Sequence, residues 1–393
     1  PCTRTTQKMP ERLDVQGVLR CSVRINIQEK VEKEQSQMED SIVKKYEAMR
    51  RANAAFRLEF GPEINKAIPL YEDPTRYPVN ELIELFQFQQ KFKETNIPEE
   101  KSRLKREFAA KCDAIHLLPN APERIYLWKA GNMPVQTVYT DNPGHLYDHE
   151  PDFQPYYLEM PLSSEKKPLA GIVLVAGGTH GAGTINECYE IGLEFNALGY
   201  ACFILQCRPN MGPWSRLESA VDAARCFQLL RGNASKYGLD PDKLVYAGFS
   251  NGGVTGDACI EFFSDHQTVK QYFPDYVPDE YDSYYGAENA YLCIYGARHL
   301  GTVLSRDAFP YPPTFFAIGR KDFGCIANLQ GLLPKLWAQD VPVEIHTFAG
   351  HPHGYAGWKI IDGKGDYNFD LWVTHADVFL RDLFNGYDPD LKG

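Results

Sequence analysis

The stretch AGFSNGG, residues 247–253, places one serine among three glycines. It follows the apolar run KLVYAG and precedes GGVTGDACIEFF, which has a helical pattern. A G-x-S-x-G stretch between a buried strand and a helix is typical of a nucleophile elbow, because small residues on either side let the strand and the helix approach closely. The hydroxyl of Ser250 would then lie at a helix N-terminus, where negative charge is favoured. The alternative interpretation is a glycine-rich loop without chemistry.

A nucleophilic serine needs a base, and the base needs a group that orients it. On a strand–elbow–helix scaffold these groups follow the serine in the order acid, then histidine. Asp322 comes just after the apolar run TFFAIG, although it is equally suited to cap a helix. His351 and His353 both follow the run VPVEIHTF, and we prefer His353 because a glycine and an aromatic residue come directly after it. His346 lies inside that run and is interpreted as structural.

The oxyanion of an acyl-transfer reaction needs two backbone N–H groups. We expect one from Asn251, directly after the nucleophile, and the other from Gly178 or Thr179 in the loop after GIVLVAGG. His180 in the same loop is a candidate substrate contact. Trp214 is a second one, with packing at the rim as the alternative. The loop has neither a G-x-G-x-x-G pattern nor a Walker lysine, so nucleotide binding is not predicted.

The elements that must position these residues alternate along the chain. Continuous apolar runs such as GIVLVAGG and YACFILQC are typical of strands buried on both faces of a parallel sheet. Shorter runs with more alternation, RIYLWK, VQTVYT and YYLEMPL, predict strands nearer a sheet edge. The alternation of such strands with helical segments predicts an α/β fold with a doubly wound, mostly parallel sheet. The predicted helices span 186–198, roughly 216–237, 251–263, 325–338 and 368–385.

The chain before this alternation has a different pattern. Residues 38–120 carry apolar residues at three- and four-residue spacings and predict a helical N-terminal domain. Residues 1–37 have no clear period, and we expect them to be an added leader rather than native sequence. Residues 121–393 are expected to form the catalytic domain. Within it, segments 264–289 and 297–313 are interpreted as cap loops whose tyrosines hold sugar rings or seal a lid.

Composition excludes several classes of function. A net charge of −11 over 393 residues argues against a nucleic-acid-binding protein. No apolar run is long enough to predict a membrane span. The ten cysteines show no C-x-x-C pair, and Cys202, Cys259 and Cys293 lie in apolar runs, which favours unbridged thiols and a cytoplasmic setting. No H-E-x-x-H or comparable ligand spacing occurs, so neither a metal nor a cofactor is predicted. Homo-oligomerisation is left open.

Residues 155–386 resemble the α/β-hydrolase fold family, and more narrowly its bacterial carbohydrate-esterase branch of acetyl-xylan and feruloyl esterases. The most specific stretch is LESAVDAARCFQLLRGNASKYGLDPDKLVYAGFSNGG, with a long helix, a YG-DP-K turn and a GFSxGG elbow; VPVEIHTF…HGY is a second match. The resemblance implies that Ser250 is the nucleophile, Asp322 the acid and His353 the base. The chain has AGGT where the family often has HGGG, and Asn251 where a small residue is frequent. Both departures bear on acyl preference rather than on the triad.

Three functions fit these observations. The first is hydrolysis of a carboxylic ester through an acyl-enzyme, with an acylated carbohydrate or a related small ester as substrate. The second is a serine peptidase of prolyl-oligopeptidase type, which shares GxSxGG; such enzymes usually carry a propeller domain, and the N-terminal part here has a helical pattern. The third is a non-catalytic binding module on the same fold, a class that usually loses a triad member, whereas all three members are present here.

Overall fold

A computed structural model describes a defined part of the chain, and every described residue belongs to one compact unit, Arg50–Gly393. The predicted leader, most of the predicted helical domain and most of segment 297–313 lie outside the described residues. The same holds for three predicted site residues, Thr179, His180 and Trp214. The described residues are 91, 94–115, 124–135, 154–160, 162, 167–178, 184–208, 210, 215–296, 309–357, 359–360, 367–368 and 370–385.

An eight-stranded sheet lies at the centre, with the order β1-β2-β4-β3-β5-β6-β7-β8. Strand β2 runs antiparallel to both of its neighbours, and the strands from β3 to β8 are mutually parallel. This is the mostly parallel sheet that the apolar runs predict. A separate pair joins β9 and β10. The strands are β1 Arg124–Tyr126, β2 Tyr156–Met160, β3 Gly171–Val175, β4 Ala201–Gln206, β5 Leu244–Phe249, β6 Ala290–Ile294, β7 Thr314–Gly319, β8 Val343–Phe348, β9 Lys359–Ile360 and β10 Tyr367–Asn368.

Helices cover both faces of the sheet. Alternate residues of a strand point to opposite faces, and in β3 Val173 belongs to the core cluster that includes Phe227 of α3, whereas Leu174 lies against Gly192 of α2. Helix α3 packs against α5 on the first face, and α2 packs against α8 on the second. The helices are α1 Pro98–Ile115, α2 Ile191–Leu198, α3 Arg216–Gly232, α4 Ala234–Tyr237, α5 Asn251–Phe263, α6 Val269–Tyr272, α7 Phe323–Trp337 and α8 Leu371–Asn385.

Two predicted helices differ from the structure in continuity or in helix type, and those predicted over 325–338 and 368–385 differ only at their ends, as Phe323–Trp337 and Leu371–Asn385. The helix predicted over 216–237 is divided at Asn233 and ends at Gly238, whose left-handed backbone suits glycine. The helix predicted over 186–198 begins with a π-helical turn, Thr184–Glu190, before α2. Apolar spacing does not distinguish these variants from one continuous α-helix, because the residues facing the core are nearly the same.

Segment 264–289, interpreted above as a cap, connects the end of α5 to the amino end of β6. The side chain of Asn289 accepts a hydrogen bond from the backbone N–H of Leu244, the first residue of β5. The carbonyl of Tyr285 accepts one from Arg231, near the end of α3. Residues 285–289 therefore lie at the edge of the sheet opposite to Ser250, and this part of the segment does not cover the serine.

The cysteines that the sequence places in apolar runs, Cys202, Cys259 and Cys293, are buried and unbridged. Among the helices of the described residues, none combines the length and the apolar character that crossing a membrane requires.

Candidate active site

Ser250 occupies the sharp turn between β5 and α5. Its backbone has φ 50° and ψ −117°, a conformation that residues other than glycine rarely adopt. The neighbouring glycines are required by the close approach of the backbone: a Cβ on Gly248 would lie 2.7 Å from the carbonyl oxygen of Gly252, and one on Gly252 would lie 2.1 Å from that of Val175. The backbone N–H of Ser250 donates to the carbonyl of Ile294 at 3.0 Å, which fixes the turn against β6.

The three residues predicted as a triad come together at the carboxyl ends of β5, β7 and β8. Ser250 Oγ lies 2.7 Å from Nε2 of His353, and His353 Nδ1 lies 2.5 Å from Oδ2 of Asp322. With the proton on Nδ1, the imidazole donates to the carboxylate, and Nε2 can accept the proton of the serine hydroxyl. This is the geometry that a serine needs to become nucleophilic.

Asp322 makes two contacts, which correspond to the two interpretations that the sequence left open. Its Oδ1 accepts the backbone N–H of Cys325 at 3.2 Å, so it caps helix α7 while Oδ2 faces His353. Burial acts to raise the pKa of Asp322, but the hydrogen bond from His353, the electrostatic interaction with that ring when it is protonated, and the bonds from Cys325 outweigh it, so that the pKa is lowered. The carboxylate is therefore ionised where it can stabilise a protonated imidazole.

The other two histidines of the β8 region lie elsewhere. His351 is buried, and its ring packs against Phe348 and Tyr355. His346 lies within β8, as predicted, and stacks on His375 with ring centroids 4.4 Å apart. Of the two candidate bases, the structure places His353 beside the serine.

Two of the predicted oxyanion residues also lie at the elbow. Asn251 is the first residue of α5, and the backbone N–H groups of a first helical turn have no acceptor within the helix. Its side-chain amide donates to the carbonyl of Gly178 at 2.9 Å, which ties the helix start to the glycine loop. The backbone N–H of Gly177 donates instead to Glu187, at 2.6 Å. Of the two candidate second donors, Gly178 and Thr179, only Gly178 lies among the described residues, and its backbone has a left-handed φ of 63°.

Two side chains that lie near the triad were not identified from the sequence. Glu187, in the π-helical turn, accepts the hydroxyl of Tyr295 at 2.8 Å through Oε1. Tyr295 directly follows β6, and its ring lies edge-on to that of His353, with centroids 5.0 Å apart. The position of Tyr295 at a strand's carboxyl end could have identified it, whereas nothing in the spacing marks Glu187.

One cluster near the triad has the composition of a metal site. Asp322, Cys325 and His353 place potential ligand atoms within 4.8 Å of one another. Two of the three are already hydrogen-bonded to each other. Burial, with the nearby charge of Asp322, raises the pKa of the Cys325 thiol, which donates to the carbonyl of Tyr295. The triad hydrogen bonds account for this cluster.

Comparisons with known proteins place the fold. No protein-family model matches the sequence, and a search of curated proteins finds no match. Among solved structures, the chain is similar to an acetyl ester-xyloside bifunctional hydrolase from Caldicellulosiruptor lactoaceticus, with 21% identity, a TM-score of 0.50, and coverage of 67% of this chain and 96% of that one. It is also similar to esterase 2 of Thermogutta terrifontis phosphorylated by paraoxon, with 18% identity, a TM-score of 0.47, and coverage of 67% and 94%.

The strand order and the first of these similarities show the α/β-hydrolase fold. Where this fold carries a nucleophile elbow, the elbow is a sharp strand-to-helix turn at the top of the sheet. Ser250 occupies that turn here.

Proposed function

We propose that this protein is a serine hydrolase of carboxylic esters that works through an acyl-enzyme. The observation that carries the proposal is the hydrogen-bonded series Ser250–His353–Asp322, with distances of 2.7 Å and 2.5 Å. In the proposed reaction Ser250 Oγ attacks the ester carbonyl while His353 Nε2 takes its proton. The protonated imidazole then passes this proton to the leaving alcohol, and Asp322 stabilises the imidazolium.

The tetrahedral intermediate carries a negative charge that needs preorganised donors. The proposed donors are the backbone N–H of Asn251 and one from Gly178 or Thr179. Water, activated by His353, then attacks the acyl-serine and releases the acid. These steps use only protein groups and water.

We propose acylated carbohydrates or related small esters as the substrates. Two points support this class: the resemblance of the elbow region to acetyl-xylan and feruloyl esterases, and the description of the Caldicellulosiruptor lactoaceticus structure as an acetyl ester-xyloside hydrolase. Trp214 and His180 are the proposed substrate contacts. The leaving group of this proposed reaction is a small, polar alcohol. A prolyl-oligopeptidase-type enzyme would instead cleave a peptide bond and release an amine.

The test is a panel of p-nitrophenyl esters of rising acyl length, acetylated sugars and a prolyl anilide, with Ser250→Ala as the control. We expect short-chain esters and acetylated sugars to be hydrolysed, and Ser250→Ala to lower kcat by about five to six orders of magnitude. A fluorophosphonate probe should label the wild-type protein and not this variant. Ester hydrolysis that survives in Ser250→Ala would overturn the proposal, and cleavage of the anilide alone would point to a peptidase.

A further inference from the structure

A second carboxylate lies behind the triad. Glu187 has only 8% of its surface exposed, and neither the sequence pattern nor the proposed acyl-transfer steps account for it. It occupies the π-helical turn before α2, a type of local distortion that occurs frequently at functional sites. Burial raises its pKa, while hydrogen bonds from Gly177 and Tyr295 and the charge of His353 act in the opposite direction.

One oxygen of Glu187 holds the glycine loop after β3. Its Oε2 accepts the backbone N–H of Gly177 at 2.6 Å. This loop lies directly against the nucleophile, because a Cβ on Gly177 would come within 2.8 Å of the Cβ of Ser250. Gly178, the proposed oxyanion donor, is the next residue. A shift of Gly177 would therefore move Gly178 relative to the serine.

The other oxygen holds the packing partner of the base. Oε1 accepts the hydroxyl of Tyr295, whose ring lies against the imidazole of His353. Tyr295 has φ 39°, a strained conformation for a bulky residue, and such strain persists only where the surroundings hold it. Its backbone is fixed by a hydrogen bond from its N–H to Ala317 at 2.9 Å and by the thiol of Cys325, which donates to its carbonyl at 3.0 Å.

We infer that Glu187 is a positioning residue for the proposed ester hydrolysis, because one carboxylate holds both the oxyanion loop beside Ser250 and the ring that packs on His353. The inference rests on the proposed function for its kinetic consequences. The two hydrogen bonds themselves do not depend on it. The two donors to Glu187, the N–H of Gly177 and the hydroxyl of Tyr295, come from the loops that follow the carboxyl ends of β3 and β6. Glu187 therefore connects the proposed oxyanion loop to the residue that packs on the proposed base.

The experiment compares Glu187→Ala and Glu187→Gln. Alanine removes both hydrogen bonds, and we expect kcat for a short-chain p-nitrophenyl ester to fall about 100-fold, the loss that a misplacement of about 1 Å produces. KM should change by less than about threefold, because Glu187 acts through the loop and the base. Glutamine can still accept from Gly177 and can donate to Tyr295, so it should restore kcat to within about tenfold of wild type.

Two further variants keep the test decisive. Tyr295→Phe keeps the ring but removes the hydrogen bond to Glu187, together with the long bond of 3.4 Å that the hydroxyl accepts from the N–H of Ala356. It should lower kcat by an intermediate factor of about ten, the loss of one modest hydrogen bond. It also provides a readout if Glu187→Ala does not fold. Glu288→Gln is the matched control: Glu288 is another buried carboxyl, located before β6 at the opposite edge of the sheet. It should leave kcat unchanged.

The inference is overturned if kcat of Glu187→Ala stays within twofold of wild type, or if Glu187→Gln is as slow as Glu187→Ala. If wild type and Ser250→Ala hydrolyse esters equally, the proposed function fails instead, and kinetics no longer report on Glu187. Amide hydrogen exchange of Gly177 then decides. Faster exchange in Glu187→Ala than in Glu187→Gln supports the positioning role, and equal exchange in wild type and both variants overturns it.

Discussion

His353 and His351 are separated by a single residue, yet their side chains have opposite environments. The side chain of His353 is 48% exposed and contacts Ser250, whereas His351 is 3% exposed and packs between aromatic rings. The left-handed backbone of Gly354, with φ 74°, shapes the turn that presents His353 to the serine.

This contrast predicts different effects of removing the two imidazoles. His353→Ala should lower kcat by about 10⁵-fold or more, because the serine loses its base. His351→Ala should keep kcat within about tenfold and instead lower the free energy of unfolding by about 2–4 kcal/mol, as truncation of a buried ring does. Steady-state kinetics and urea denaturation of both variants check this. Loss of turnover in His351→Ala without loss of stability would contradict the assignment.

Asp322 can be tested separately for its two roles. Asp322→Asn removes the charge that orients and stabilises the imidazole, and kcat should fall about 10⁴-fold. The amide oxygen can still accept the N–H of Cys325, so the cap of α7 and the free energy of unfolding should change by less than about 1 kcal/mol. Asp322→Ala, which loses the cap as well, is the comparison and should be less stable. If kcat of Asp322→Asn stayed near that of the wild type, Asp322 would be excluded as the residue that orients and stabilises the imidazole of His353.

The steric fit of the elbow predicts unequal effects of two glycine substitutions. A Cβ at position 252 would lie 2.1 Å from a backbone oxygen, whereas one at position 178 meets no atom of the described residues within 4 Å. Gly252→Ala should therefore lower the free energy of unfolding by about 3 kcal/mol or more. Gly178→Ala should lower it by only about 1–2 kcal/mol, the usual penalty for a left-handed backbone. Chemical denaturation of both variants measures the difference. Equal losses of unfolding free energy would contradict the steric argument for position 252.

Glu288 predicts a dependence of stability on pH. Burial raises its pKa from 4.5 to about 8, against the opposing influence of Cys259 and Arg231. Because the folded state then holds a proton that the unfolded state releases, the free energy of unfolding should fall as pH rises from about 4.5 to 8, in total by about 5 kcal/mol. Glu288→Gln stays neutral and should lose this dependence. Urea denaturation at pH 5, 7 and 9 compares the two proteins, and parallel pH profiles would contradict the prediction.

Much of the sheet could be predicted from the sequence because its signals are local. The run TFFAIG is strand β7, and the helix predicted over 251–263 is α5. The elbow was recognisable for the same reason, since its glycines and serine are contiguous. Asp322 was recognisable as an acid just after a strand, but its two possible roles could not be separated, and the structure shows both contacts.

Other features depend on contacts between residues distant in sequence. The hydrogen bond from Tyr295 to Glu187 spans 108 residues, and neither residue belongs to a motif. The choice between His351 and His353 depends on how the chain turns after β8, which spacing alone does not determine. Thr179, His180 and Trp214 lie outside the described residues, and their roles stay predictions, as do the helical N-terminal domain and the cytoplasmic setting.

Strand β8 ends the sheet on one side, and its residues are only partly buried, whereas every residue of β5 is buried. The proposed base, His353, follows β8, and the proposed nucleophile, Ser250, follows β5. Peripheral segments of a protein open at lower free energy than its centre. Warming should therefore detach the imidazole from the hydroxyl while the middle of the molecule stays intact, so that inactivation precedes melting.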